Sequence, residues 1–171
     1  MQITYCVQWS RHYSQLHEPL TEAQARKRHA DGKLYTAVLG DLEKPQCFLE
    51  FSAYRSVCVE FLDDTLRSIR DYSFQEKRPN EFFVSVATLR KFAEGAKEPH
   101  WGDIYYFMVD GGLTIVRYEV TPRATTEVER EEFLTDVSHN WEPFPEFGHY
   151  EGLAEFDRGI PALTQAKQDP S

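Results

Sequence analysis

The stretch "DIYYFMVDGGLTIVRYEVTP", residues 103–122, decides the fold. Two apolar, ring-rich runs flank Asp110-Gly111. That dipeptide favours a two-residue hairpin turn, because both central positions take positive φ. The pattern predicts two antiparallel strands with Pro122 closing the second, since proline cannot donate to a ladder. "IYYFMV" (104–109) is also the most apolar run. It falls far short of the roughly 20 residues that a membrane-crossing helix needs, so no membrane partner is expected.

The same alternation spreads outward from this hairpin. "LYTAVLG" (34–40), "CFLEFS" (47–52), "SVCVEFLDD" (56–64), "RSIRDYSFQ" (67–75) and "FFVSVATL" (82–89) all read as strands, separated by "DLEKPQ", "AYR" and "EKRPNE". Val57, Val59 and Phe61 fall on one face. At the start, Ile3, Tyr5, Val7 and Trp9 alternate with Thr4, Cys6 and Gln8, which is a strand pattern and not a signal peptide. Thr21 with Gln24 forms a capping-box signature, and "TEAQARKRHADG" reads as a short helix with Gly32 just past its end. Arg26, Lys27 and Arg28 are its solvated face. No other cations cluster to grip a phosphate backbone, so no nucleic-acid partner is expected.

Residues 125–141, "TTEVEREEFLTDVSHNW", read as a helix from Thr125 or Thr126, with Val128, Phe133 and Val137 as a loose stripe. The alternation of Val128, Arg130 and Glu132 admits an edge strand instead. The fold class is therefore α+β: a single domain over 1–160, mainly an antiparallel β-meander of about seven or eight strands, with one or two short helices and an irregular aromatic-rich C-terminal segment. Residues 161–171 have the composition of a frayed tail. A chain that is 41% hydrophobic and 14% aromatic is expected to pack a core rather than stay disordered. Cys6, Cys47 and Cys58 are odd in number and lie in strand-like sequence, as expected for reduced, mostly buried thiols in a cytoplasmic protein.

Charge is distributed unevenly. Between 127 and 157 there are ten acidic residues and one basic residue, Arg130, a balance of −9; the remaining 18 acidic and 18 basic residues cancel. The acids are Glu127, Glu129, Glu131, Glu132, Asp136, Glu142, Glu146, Glu151, Glu155 and Asp157. Such asymmetry points to an interaction face. Among these acids, "HNWEPFPEFGHYEG" (139–152) carries rings at intervals of three: Trp141, Phe144, Phe147 and Tyr150. They fold the segment back onto the sheet, or some stay exposed as anchors inside an acidic rim, the usual anatomy of a protein interface.

Catalytic motifs are missing. Gly111-Gly112 is explained by the hairpin, and neither a glycine-rich phosphate cradle nor G-x-S-x-G is present. His139, Glu146 and His149 are the nearest approach to a metal set, but Pro143, Pro145 and Gly148 disfavour the helix that would bring them together. No cofactor or metal is expected. The leading expectation is a small acidic protein-binding module that neutralises a basic protein partner such as a toxin enzyme. Bacterial immunity proteins share these bulk properties, though no motif links the two. Its contacts would be Glu127, Glu129, Glu131, Glu132, Asp136, Trp141, Glu142, Phe144, Glu146, Phe147, Tyr150 and Glu151. The alternatives are an enzyme or small-ligand protein with a site at His139, Glu146, His149, Tyr150 and Trp101, or a non-catalytic structural subunit.

Overall fold

A computed structural model describes residues 2–10, 15–52, 55–160 and 163. The alternating segments become β1 (Ile3–Ser10), β2 (Gln15–Leu20), β3 (Tyr35–Gly40), β4 (Pro45–Phe51), β5 (Ser56–Leu62), β6 (Ser68–Arg78), β7 (Glu81–Lys91), β8 (Trp101–Phe107), β9 (Gly112–Val120), β10 (Thr125–Leu134) and β11 (Trp141–Pro143). One helix, α1 (Glu22–Ala30), lies between β2 and β3. The strands form one antiparallel sheet in the order β10-β9-β8-β7-β6-β5-β4-β3-β1-β2. The short β11 pairs with Glu81–Phe83 of β7, beyond the part of β7 that β8 occupies.

Eleven strands exceed the seven or eight expected, and the three additions have identifiable causes. β2 has almost no buried alternation to read, because it is an edge strand with every residue exposed or half-buried. β11 is three residues inside a proline-rich loop. β10 is the segment expected as a helix. It is an edge strand exposed along its whole length, so no apolar stripe is needed. Residues 161–171, expected as a frayed tail, lie outside the described residues except for Leu163, which is buried.

The helix agrees with its sequence signals. Thr21 Oγ1 accepts from the Gln24 backbone N–H, Gln24 Oε1 accepts from the Thr21 N–H, and Gly32 follows with φ +62°. The decisive hairpin differs in detail. Met108 and Gly112 close a three-residue loop in which Gly111 alone takes positive φ (+94°), a turn followed by a left-handed residue rather than a two-residue turn. Where β8 and β9 pair, Gly102 faces Tyr118. A Cβ at 102 would lie 2.4 Å from Cζ of that ring, so the missing side chain makes room for the phenol.

Period-2 alternation sorts the side chains onto two faces. One face carries the main core, including Tyr35, Leu49, Val59, Tyr72, Phe74 and Tyr105, each at most 1% exposed. The C-terminal segment lies across it and adds Tyr150, Leu153, Ile160 and Leu163. The opposite face carries a smaller cluster of Trp9, Val38 and Phe48. Arg158 enters the main core as a charge, its side chain 2% exposed. It pairs with Glu142, donates to the Gly152 carbonyl and lies 5.0 Å over the Phe74 ring.

Candidate functional site

β10 forms one edge of the sheet, and among the described residues no strand pairs with its outer side. Alternate residues of such a strand point their N–H and C=O groups outward, ready to bond an added strand. Register assigns the side chains. Glu129, Glu131 and Phe133 stand opposite Arg117, Ile115 and Leu113, and so extend the core-facing rows. Arg130, Glu132 and Leu134 stand opposite Val116, Thr114 and Gly112 on the other face. A bulge at Val128 resets the alternation between Glu127 and Glu129.

The acids on this edge are partly tied down. Arg117 is shared by Glu129 (2.6 Å), Asp103 (3.6 Å) and Glu131 (3.7 Å). Arg130 holds Glu127 through two hydrogen bonds of 2.9 Å, which keep that carboxyl below its ordinary pKa. The exposed Arg130–Glu127 pair contributes little stability. Past the strand, Asp136 accepts 2.9 Å hydrogen bonds from the Ser138 N–H and hydroxyl and is likewise held low. At the far end the edge becomes apolar. Leu134 is 82% exposed and Met108 59%, with Val109 and Phe133 also exposed. The Thr135 N–H donates to the Gly111 carbonyl, which keeps the end of β10 against the hairpin tip.

The aromatic stretch packs its own rings. Tyr150 is fully buried, its hydroxyl 3.3 Å from that of Tyr35, so it belongs to the core and not to an exposed face. Phe147 stacks on Tyr5 at 5.1 Å, Phe144 lies 5.3 Å from Phe82, and Trp141 lies 4.8 Å from Phe83. The guanidinium groups of Arg26, Arg55 and Arg78 lie over Phe147, Phe144 and Trp141, at 4.5, 5.0 and 4.1 Å. Glu142 is half-buried against Arg158, whereas Glu146 and Glu151 remain exposed. The rings of 141–150 thus pack against the core, whereas the acids of β10 stand along the open edge of the sheet.

The residues of the alternative site lie in different settings, although the His149 N–H donates to the Glu146 carbonyl. His139, Glu146 and His149 are exposed, Trp101 starts β8 and Tyr150 is in the core. Among the described residues, no three His, Cys, Asp or Glu side chains are placed to hold a metal ion. A histidine that sequence reading passed over is better placed. His29 lies among Tyr35, Phe51, Phe144 and Phe147, and its Nδ1 is 2.8 Å from the Tyr35 hydroxyl. Burial pushes its pKa down and that of Tyr35 far up, so both are neutral near pH 7. The available signal was its spacing of four from Ala25, which puts both on the inward face of α1. A cavity of about 530 Å³ opens beside it, lined also by Arg55 and Phe82.

Cys6 and Cys47 are buried, and burial pushes their thiols up to about 11 and about 12, which leaves them unreactive near neutrality. No helix among the described residues is long and apolar enough to cross a membrane. Compared with known proteins, the chain matches no protein-family model, no curated protein and no solved structure.

Proposed function

We propose that this chain is a binding module that captures a basic protein through β10. Its role would be that of an inhibitor, like an immunity protein that silences a basic toxin enzyme. The observation that carries the reading is an open, ten-residue edge strand with acids on both faces and an exposed apolar end. The partner supplies an extended basic segment that adds to the sheet. Backbone bonds along β10 then provide affinity, and the side chains on either face provide selectivity. Lysine or arginine at alternate positions meets Glu129 and Glu131 on one face or Glu132 on the other. An apolar residue at the end of the segment covers Leu134 and Met108. Opposite charge speeds encounter and makes the complex sensitive to salt.

The test begins with low-salt capture from the native organism and identification of the bound species by mass spectrometry. Affinity for that purified partner is then compared across variants. Reversal of Glu129, Glu131 and Glu132 to Lys should weaken binding at least about tenfold at low salt and flatten its salt dependence. Leu134→Ser should weaken binding while leaving stability within about 0.5 kcal/mol. Binding should also slow hydrogen exchange along β10. A triple reversal that binds at wild-type strength in low salt would end the proposal.

A further inference from the structure

The cavity of about 530 Å³ beside His29 is within the size range of small-molecule sites. It is lined by residues 29–33 at the end of α1, by residues 52, 55 and 56 where β4 leads to β5, and by four further rings. Of these rings, Tyr35, Phe51 and Phe82 are at most 4% exposed, and Phe144 is half-buried. Tyr35 and Phe51 stack at 4.5 Å with their planes 4° apart, and Phe82 lies 5.3 Å from Phe144. The His29 ring stands edge-on to Phe51 at 5.7 Å, and burial keeps it uncharged near pH 7. Walls made of rings favour a ligand that is itself flat and apolar. None of the described lining residues belongs to β10, so the cavity does not depend on the binding proposal.

The rim is basic. Among the described lining residues Asp31 is the one acid, against Lys33 and Arg55. Asp31 is shared by Lys27 and Lys33 at 3.5 Å each, and the Lys27 ammonium holds its carboxyl below the ordinary range. Arg55 pairs with Glu76 (3.1 Å) and donates to Asn80 (3.0 Å), which uses two of the five donors of its guanidinium. Three cations thus meet two carboxylates, in a chain whose net charge is −9. The Lys33 and Arg55 side chains are 62% and 47% exposed, so these pairs are weak and an entering anion can share the cations. Arg55 takes its place with φ +49°, in the left-handed region that arginine seldom adopts, and outliers of this kind cluster at ligand clamps. A cationic ligand would meet Lys33 and Arg55, and the Arg55 guanidinium already lies 5.0 Å over the Phe144 ring. A carboxylate suits both groups, since a guanidinium fork matches its two oxygens.

We propose that this cavity binds a planar aromatic carboxylate, its ring among Phe51, Phe82 and Phe144 and its carboxylate at Lys33 and Arg55. Calorimetry on the full chain with cinnamate, beside cinnamyl alcohol, cinnamylammonium and acetate, tests it. Cinnamate should saturate a single site at millimolar concentration or below, at least about tenfold tighter than the alcohol, which lacks the charge, and than acetate, which lacks the ring. Cinnamylammonium should not saturate. Arg55→Gln, checked for an unchanged fold by circular dichroism, should weaken cinnamate about tenfold. Lys33→Gln changes an exposed position outside the Arg55–Glu76 pair, and it should weaken cinnamate roughly threefold. Nuclear Overhauser contacts should join the cinnamate ring protons to those of Phe51, Phe82 or Phe144. Binding of the alcohol, the ammonium or acetate as tight as that of cinnamate would overturn the proposal. So would failure of cinnamate to saturate, affinity unchanged in Arg55→Gln and Lys33→Gln alike, or contacts to none of the three rings at saturation.

Discussion

Replacing Arg158 with Met should destabilise the protein by about 2–3 kcal/mol. Breaking a buried ion pair from one side costs about 3–5 kcal/mol, because the abandoned charge stays behind. Here the abandoned group is Glu142, whose side chain is 20% exposed, so water reaches it and the lower figure applies. Methionine removes a buried Nε that has no hydrogen-bond partner, which returns roughly 1 kcal/mol. It also sets an apolar thioether in place of the guanidinium that lies over Phe74. In a chain of this size each kcal/mol moves the melting temperature by about 2–4 °C, so the expected fall is about 4–12 °C. Thermal denaturation followed by circular dichroism at neutral pH measures it. The double variant Arg158→Met/Glu142→Leu should recover to within about 1 kcal/mol of wild type, because no charge is then left unpaired. A single variant melting with wild type, or a double variant no better than the single, would refute the claim that this pair locks the C-terminal segment into the core.

Three further outcomes follow from the packing. Tyr150→Ala should cost about 3–5 kcal/mol in urea denaturation, whereas Tyr150→Phe, which keeps the ring and loses only the hydroxyl's hydrogen bonds, should cost about 1–2 kcal/mol. Equal losses would contradict the core placement of this ring. His29 is held below its ordinary pKa by burial and, secondarily, by nearby Arg26, so the unfolded chain takes up that proton first. The stability His29 contributes is present above about pH 6.5 and is lost as pH falls through its lower folded value. Melts at pH 7.5 and 5.5 should therefore diverge more in wild type than in His29→Phe. Neutralising Glu129, Glu131 and Glu132 to Gln should raise the apparent mass in sedimentation as concentration rises, and a strictly monomeric variant would contradict the role assigned to their charge.

Much of the fold was legible because burial on one face writes alternation into a strand. β5 carries Val57, Val59 and Phe61 on the core face, and each is at most 2% exposed. Edge strands escape that logic. β10 buries none of its residues, so Val128, Phe133 and Val137 imitated a helical stripe where no stripe exists. The acidic run was visible as composition, but its division was not. Glu142 turns inward to a residue 16 positions away, whereas Glu129 and Glu131 turn to Arg117 across a strand pair. The carboxylates that face each other in a cavity, Glu60 and Asp71, were invisible because their pairing depends on register between β5 and β6. Register is a long-range property that neither strand's composition states.

The charge of β10 acquires a second use once its edge position is known. An open strand invites pairing with any other open strand, above all with the same strand of a second copy. Antiparallel pairing of two copies about a two-fold axis sets the acids of one β10 against those of the other, with Arg130 as the one cation on each strand. Four glutamates against one arginine leave each edge at −3, so self-pairing is opposed along its length. A basic segment meets the reverse condition and gains the same backbone bonds. On the proposed reading the acids would act less as a source of affinity than as a filter, closing an adhesive edge to its own copy while leaving it open to a partner of opposite charge. On the same reading, contact with the exposed Leu134 and Met108 at the end of the edge would add affinity only after the charge pattern had admitted the strand.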